Sequence, residues 1–132
     1  MKIITAEIIT IGDEILYGQT LDTNSHWISG ELDQAGIKVI RKSTIGDERQ
    51  EMLQVFKEAL QRADLILITG GLGPTRDDLT KPCLAEFFNV PLVMHETALQ
   101  DVTNYFVSKG KELSDLNRKQ AELPANATLI HN

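Results

Sequence analysis

The chain has 132 residues, and 19 Asp and Glu against 13 Lys and Arg give it a formal net charge of −6. This length fits one domain with one core. The acidic surplus argues against sequence-independent nucleic-acid binding, which needs Lys and Arg to displace phosphate counterions. The apolar runs are too short to span a bilayer, no secretory signal is visible, and a single cysteine, Cys83, excludes a disulfide framework. We therefore expect a soluble, cytoplasmic domain with neither nucleic acid nor membrane as a partner.

The first half of the chain alternates between strand and helix patterns. β-branched residues before Gly12 predict a buried strand, and Gly36 predicts the left-handed end of a helix. Asp47, followed three residues later by Gln50, predicts a helix N-cap. In chain order we expect a strand at 3–11, a loop at 12–18, a helix from 22–25 to 36, a strand from 37 towards 46 and a helix at 47–63.

The second half begins with an apolar run at 65–68, which predicts a fully buried strand of a parallel sheet. In chain order we then expect a glycine-rich loop at 70–78, a helix at 79–88, a short strand or extended loop at 89–94, a helix ending near 110, a short helix capped at 114 and the start of a strand at 127–130. Strand-helix alternation with short connections predicts an α/β fold with a mostly parallel sheet and helices on both faces. Ligands of such sheets bind beyond the carboxyl ends of the strands.

Three glycines, Gly70, Gly71 and Gly73, follow the third predicted strand and precede a helix. Glycines let backbone N–H groups approach an anion closely, and a helix N-terminus favours negative charge. Phosphate is therefore the expected ligand class. The spacing matches neither the P-loop nor the dinucleotide fingerprint, so a phosphate cradle and a plain tight turn stay open as alternatives on this pattern alone.

Polar residues beside these glycines favour the phosphate interpretation. Arg76 offers a planar fork for phosphate oxygens, and Thr75 and Thr80 offer hydroxyl groups. The carboxylates of Asp77 and Asp78 would repel a phosphate unless a divalent cation such as Mg²⁺ lies between them, so we predict that cofactor. The alternative role for this pair is to cap the following helix, and we expect one of the two to do so.

A second group of polar residues follows the first strand. Gly12 opens the loop, and Asp13 and Glu14 are candidate metal ligands, with a solvated acidic turn as the alternative. Asp47 follows the second strand at the same expected edge, where it either caps its helix or contributes to the site. Asn24 either donates to a ligand or begins its helix.

Taken in order, these motifs resemble the N-terminal domain of the competence/damage-inducible protein CinA, within the wider molybdopterin-binding superfamily of MogA, MoaB and gephyrin. The motifs that carry the resemblance are Gly12-Asp13-Glu14-Ile15-Leu16, Asp22-Thr23-Asn24, Gly70-Gly71-Leu72-Gly73-Pro74-Thr75, Asp77-Asp78-Leu79-Thr80 and Asn117-Arg118-Lys119-Gln120-Ala121. The resemblance covers essentially the whole chain. It implies a three-layer α/β/α sandwich and a single domain over 1–132, which we expect to be truncated at its C-terminal end because such domains usually continue further.

The resemblance also implies an activity. CinA-type domains are associated with divalent-metal-dependent hydrolysis of the pyrophosphate linkage of ADP-ribose, whereas Mog-type relatives adenylylate molybdopterin with ATP and Mg²⁺. We therefore expect a pyrophosphohydrolase that acts on ADP-ribose or a related nucleotide diphosphate. The alternatives are molybdopterin binding or adenylyl transfer, or a non-catalytic module that binds a pterin or a nucleotide. An unpaired sheet edge at the truncation also suggests a homo-oligomer.

Roles follow from the positions that match the family motifs and from the chemistry of their neighbours. We expect catalytic roles for Asp47 and Asp78, which match the two acidic positions of Mog-type active sites. Metal ligands are expected at Asp13, Glu14 and Asp77. Substrate or phosphate contacts are expected at Gly12, Asn24, Gly70, Gly71, Gly73, Thr75, Arg76 and Thr80.

Overall fold

The structure is a computed structural model that describes residues 1–131. It contains two compact units, the first spanning Met1–Gly71 and the second beginning at Leu72. The first unit contains β1 (Thr5–Ile11), α1 (Asp13–Leu16), α2 (Thr23–Gln34), β2 (Lys38–Ile45), α3 (Arg49–Arg62) and β3 (Leu65–Thr69). The second contains α4 (Thr80–Phe87), β4 (Leu92–Met94), α5 (Glu96–Ser108), α6 (Asp115–Arg118), a 3₁₀ turn (Lys119–Ala121) and β5 (Glu122–Pro124).

A parallel three-stranded sheet with the order β2-β1-β3 organises the first unit. The central strand β1 is buried from residue 6 to residue 11, and its side chains alternate between the two faces. Ala6 and Ile8 pack with Leu32 of α2 on one face. Glu7 points to the other face, where it contacts Arg62 of α3. Helices therefore cover both faces, and the predicted α/β/α layering is present in this unit.

The contact between Glu7 and Arg62 places an ion pair inside that layering. The Glu7 carboxylate is fully buried and accepts from Arg62 Nε at 3.1 Å and from Nη2 at 2.7 Å. The hydrogen bonds to Glu7 raise the pKa of the Arg62 guanidinium against the opposing effect of its burial. This pair fixes the last turn of α3 to the middle of β1, because a buried carboxylate left without its partner is strongly destabilising.

The strand order creates a topological switch point in the first unit. From β1 the chain crosses to β2 on one side, and from β2 it crosses back to β3 on the other side of β1. The direction in which the chain steps along the sheet therefore reverses, and the carboxyl ends of β1 and β3 are neighbours at that point. Open α/β sheets bind ligands in the crevice that forms at such a point.

The second unit is built on an antiparallel pair in which Leu92 of β4 lies opposite Pro124 of β5. Helix α4 contacts both strands, and α5 contacts the 3₁₀ turn. His95 caps α5, since its Nδ1 accepts from the backbone N–H of Ala98 at 3.3 Å. Ser114 caps α6, which confirms the prediction of a short helix there.

The predictions for three segments of secondary structure are wrong. Strand β3 is partly exposed rather than fully buried, with Leu65 at 37% exposure, because in the described part of the chain it pairs with β1 alone. The segment 127–130 forms no strand, and β5 pairs with β4 at 122–124 instead. Residues 13–16 form a helical turn where a loop was predicted. In residues 1–131 no helix has the length and apolar character needed to cross a membrane.

Candidate functional site

The switch point of the first unit holds a crevice of about 210 Å³. Its walls come from the carboxyl ends of β1 and β3 and from the segment that leads into α2. The lining residues are Thr10, Ile11, Glu14, Ile15, Thr20, Leu21, Asp22, Thr23, Asn24, Thr69 and Gly70. We call this the switch-point crevice, and it brings together three of the predicted site residues, namely Glu14, Asn24 and Gly70.

Gly70 shapes this crevice through its backbone. Its φ of 93° lies in the left-handed region that L-amino acids rarely adopt. A Cβ added there would lie 1.9 Å from the carbonyl oxygen of Ile11, so no side chain fits at this position. The chain can therefore leave β3 directly against the end of β1, which places the first predicted phosphate-loop glycine at the crevice wall.

Hydroxyl, amide and carboxylate groups supply the polar surface of the crevice. Asn24 Nδ2 donates to Thr69 Oγ1 at 3.4 Å, which links the first turn of α2 to the end of β3. Asp22 caps α2 by accepting from the backbone N–H of Ser25 at 3.0 Å. Its second oxygen accepts from Ser25 Oγ at 2.6 Å and from Thr10 Oγ1 at 2.8 Å. Asn24 is thus held at the crevice by a well-anchored helix start.

The electrostatics of Asp22 follow from these contacts. Burial raises the pKa of its carboxyl, but the hydrogen bonds from Ser25 and Thr10 outweigh burial and hold the pKa below its usual range. Sequence reasoning treated Asp22 as a helix start and did not name Thr10 or Thr69. The signal available for these two threonines was a polar side chain at the end of an otherwise apolar strand pattern.

Asp13 and Asp47 form a reciprocal pair beyond the ends of β1 and β2. The backbone N–H of Asp13 donates to Asp47 Oδ2 at 3.2 Å, and the backbone N–H of Asp47 donates to Asp13 Oδ1 at 3.1 Å. Gly46 permits the approach, because a Cβ there would lie 2.6 Å from Asp13 Oδ1. The prediction that Asp47 caps α3 is wrong, since Glu48 occupies the N-cap position. Asp47 therefore lies with Asp13 beyond the carboxyl ends of the strands.

The two carboxylates of Asp13 and Asp47 could hold a divalent cation only if a bound substrate and water supplied further oxygen donors. In the described residues no group of three or more His, Cys, Asp or Glu side chains lies close enough to hold a metal ion. Mg²⁺ is commonly held by one or two carboxylates together with substrate phosphate and water. Asp13 and Asp47 match that donor set, and Glu14 lies nearby with its carboxylate against Gly12, where an added Cβ would lie 2.7 Å from Glu14 Oε1.

In the second unit, Asp78 organises the rest of the glycine-rich loop. Its Oδ2 accepts from the backbone N–H of Thr75 at 3.1 Å and from Thr75 Oγ1 at 2.7 Å. A Cβ at Gly73 would lie 2.5 Å from the same oxygen. The Thr75 hydroxyl is the main cause that lowers the pKa of the Asp78 carboxyl, with help from the backbone N–H groups of Thr75 and Gly73.

The prediction that Asp77 or Asp78 caps the following helix is wrong. Leu79 occupies the N-cap position of α4, while Asp78 turns back to the loop that precedes it. Asp77 is exposed, and Thr80 is fully buried in the first turn of α4. Thr80 therefore lies inside the protein, whereas Thr75 and Arg76 lie on the loop surface.

A cleft of about 470 Å³ adjoins this loop within the second unit. We call it the loop cleft, and its polar lining residues are Thr75, Arg76, Asp78, Lys81, Lys119 and Glu122. Gly73 also lines it, so four predicted site residues meet here. Neither lysine was predicted as a site residue, although Lys119 belongs to the motif at 117–121, because the two lie 38 residues apart in the sequence.

Comparisons with known proteins agree with this architecture. The family model described as "Probable molybdopterin binding domain" matches residues 7–128. A CinA-like protein from Cytophaga hutchinsonii is 50% identical over 129 residues, which cover 98% of this chain and 31% of that protein. This chain therefore spans about a third of the length of the curated relatives it matches.

Solved structures extend the comparison to the fold. The crystal structure of CinA from Thermoplasma acidophilum, a protein described as having unknown function, superimposes with a TM-score of 0.86 at 34% identity over 98% of this chain and 76% of that one. MoaB from Pyrococcus furiosus, described as a tungsten cofactor synthesizing protein, gives a TM-score of 0.65 at 24% identity over 83% of this chain and 68% of that one, which shows a shared fold. The chain belongs to the molybdopterin-binding domain family and, within it, to the CinA-like proteins.

Proposed function

We propose that this chain binds a phosphorylated pterin of the molybdopterin type. The observation that carries the proposal is the switch-point crevice, which lies where open α/β sheets bind ligands and is lined by hydroxyl and amide groups beside the carboxylates of Glu14 and Asp22. Its volume of about 210 Å³ falls below the ~300–1,000 Å³ typical of sites that enclose a whole drug-sized ligand. The crevice is therefore suited to one part of a larger ligand.

The chemistry of the crevice suits a neutral heterocycle. Thr10 and Thr69 carry hydroxyl groups that can donate and accept, and Asn24 adds an amide with both functions. A pterin ring presents amide-like donors and acceptors along one edge, which such groups can pair. Membership in the molybdopterin-binding family supports this choice over other heterocycles.

Calorimetric titration with molybdopterin under anaerobic conditions tests this proposal. Saturable binding by the chain is expected, and Asn24→Ala should weaken it about tenfold, the equivalent of one lost hydrogen bond of roughly 1.4 kcal/mol. Asn104→Ala is the matched control, because Asn104 is exposed on α5 and bonds to Gln100. No binding, or equal affinities for the two variants, would contradict the proposal.

The pair of Asp13 and Asp47 favours a second candidate, the metal-dependent hydrolysis of ADP-ribose to AMP and ribose 5-phosphate. Two carboxylates at a sheet edge can hold Mg²⁺ against a diphosphate, and one of them can accept the proton of the attacking water. A bound divalent ion would neutralise charge on the phosphates and lower the pKa of water.

Chromatography of products separates hydrolysis from transfer. For hydrolysis, AMP and ribose 5-phosphate should form from ADP-ribose with Mg²⁺, and Asp47→Asn should slow their formation at least tenfold. Asp33→Asn, an exposed position on α2, is the matched control and should leave the rate unchanged. An adenylylated pterin and pyrophosphate, formed from ATP and molybdopterin, would instead identify an adenylyltransferase. If none of these products forms, this second candidate function is contradicted.

A further inference from the structure

Two carboxylates line the switch-point crevice, those of Asp22 and Glu14, and they differ in how firmly they are held. Asp22 accepts hydrogen bonds from the backbone N–H and the Oγ of Ser25 and from Thr10 Oγ1. Both partners are buried, with Ser25 2% and Thr10 4% exposed. The Glu14 side chain is longer and exposed. Asp22 is therefore the carboxylate that a ligand meets in a fixed orientation.

The ionisation of Asp22 limits what it can bind. Burial raises the pKa of its carboxyl, but the hydrogen bonds from Ser25 and Thr10 lower the pKa further, to below its usual range. The carboxylate is therefore charged at neutral pH, and in that form it accepts hydrogen bonds and donates none. Of its roughly four acceptor positions, one on Oδ1 remains beside the hydrogen bond from the Ser25 backbone. A ligand group at that position must be a donor.

Asp22 is one end of a row of polar groups that crosses two neighbouring strands. Thr10 of β1 lies opposite Thr69 of β3 in the parallel register, and paired strands lie about 4.8 Å apart. Asp22 bonds to Thr10, and Asn24 bonds to Thr69. Because Thr69 Oγ1 accepts from Asn24, the Thr69 hydroxyl hydrogen can be donated to a ligand carbonyl. The row therefore presents an acceptor at the end of β1 and a donor at the end of β3.

This order of acceptor and donor matches one kind of ring. Pterin and guanine both carry an amino group, a ring N–H and a carbonyl side by side along one edge. The amino group can donate to Asp22 while the carbonyl accepts from Thr69. Lumazine has a carbonyl where pterin has the amino group, so two acceptors would face each other. Adenine has no carbonyl to offer to Thr69.

We propose that Asp22 is the specificity-determining residue of the switch-point crevice, and that it selects rings with an amino group, a ring N–H and a carbonyl along one edge. This inference rests on the proposed function and deepens it, because it names the edge of the pterin that the crevice recognises. It extends the ligand class to guanine nucleosides and separates that class from adenine nucleosides.

Titration of the isotope-labelled chain with pterin and with lumazine, followed by amide NMR, tests the proposal. Pterin should bind about tenfold more tightly or better, because an ionised acceptor that faces a carbonyl gains no hydrogen bond from it. Guanosine should likewise bind about tenfold more tightly than adenosine. Equal affinities for pterin and lumazine, or for the two nucleosides, overturn the proposal.

The ratio of two affinities separates recognition from a general loss of structure. Asp22→Asn retains a residue that caps helices well, and its amide can donate to a carbonyl. The preference for pterin over lumazine should therefore disappear in this variant. Asp33→Asn is the matched control on the same helix, because Asp33 is exposed and does not line the crevice, and the preference should persist there. If Asp22→Asn weakens both rings equally, Asp22 does not determine specificity.

The other carboxylate of the crevice provides the competing assignment. Glu14→Gln removes its charge and should change the affinities for pterin and lumazine by the same factor. If this variant loses the preference instead, Glu14 selects the ring and the assignment to Asp22 is wrong. If Asp22→Asn does not fold, the ratio measured in Glu14→Gln still decides between the two carboxylates.

The inference and the proposed function can fail separately. If molybdopterin binds but pterin and lumazine have equal affinities, the proposed function stands and the selection by Asp22 falls. If molybdopterin does not bind but guanosine binds with an affinity that Asp22→Asn removes, the selection stands and the pterin function falls.

Discussion

The switch-point crevice and the loop cleft are built by different means, although residues predicted for the site occur in both. The crevice depends on sheet packing, since Gly70 contacts the backbone of Ile11 so closely that no side chain fits. The loop cleft depends on polar contacts of side chains, above all those of Asp78 with Thr75 and of Lys81 with the 3₁₀ turn. Adding a side chain at the packed glycine should therefore destabilise the first unit. Replacing polar side chains should instead change the hydrogen bonds and pKa values of the second.

The largest expected effect comes from Gly70→Ala. The new Cβ would meet a backbone oxygen at a φ that alanine rarely adopts, so we expect a loss of more than about 4 kcal/mol in the free energy of unfolding. Chemical denaturation measures it. Gly30→Ala is the control, because nothing lies within 4 Å of its added Cβ and alanine favours a helix by about 1 kcal/mol. If Gly70→Ala and Gly30→Ala have similar stability, the close packing of Gly70 against Ile11 is not needed to form the crevice.

A somewhat smaller loss is expected from Arg62→Ala, which strands the buried Glu7 carboxylate. Removing the partner of a buried carboxylate is strongly destabilising, whereas replacing both partners by apolar residues is often neutral. Denaturation of Arg62→Ala and of a double variant with Glu7→Met and Arg62→Met tests this contrast. If the double variant is no more stable than Arg62→Ala, the unpaired carboxylate is not the cause of the loss.

In the second unit, Thr75→Val should change the pKa of the Asp78 carboxyl more than it changes the structure of the loop. Removing the hydroxyl takes away the main cause of the lowered pKa of Asp78, so that pKa should rise towards its usual value. A lowered folded-state pKa contributes stability above the unfolded value near 3.8, and this contribution is lost as pH falls through the folded pKa. The variant should lose less stability on acidification. Carboxyl NMR during a pH titration checks the shift, and an unchanged pKa would contradict it.

How far the sequence predicts this molecule depends on the range of the interactions. Gly36 and Ser114 mark helix ends correctly because the signals are local. The apolar run 65–68 does not reveal that β3 pairs with β1 alone among residues 1–131, since burial depends on the sheet order.

The same limit applies to the site. Asp47 has the local pattern of an N-cap, but its carboxylate bonds to Asp13, 34 residues away, because Gly46 lets the two segments approach. The residue types and the order of the motifs along the chain predicted the glycine-rich loop and its acids. They did not predict Lys81 and Lys119 as site residues, because only the fold brings these two lysines to one cleft.

In the proposed function, the switch-point crevice binds the pterin part of a phosphorylated ligand. The most direct measurement is amide NMR of the isotope-labelled chain during titration with molybdopterin. Pterin binding in the crevice should give saturable shifts at Asn24, Thr69 and Gly70, with smaller changes at Thr69 and Gly70 in Asn24→Ala. Saturable binding that leaves these three amides unmoved would contradict it.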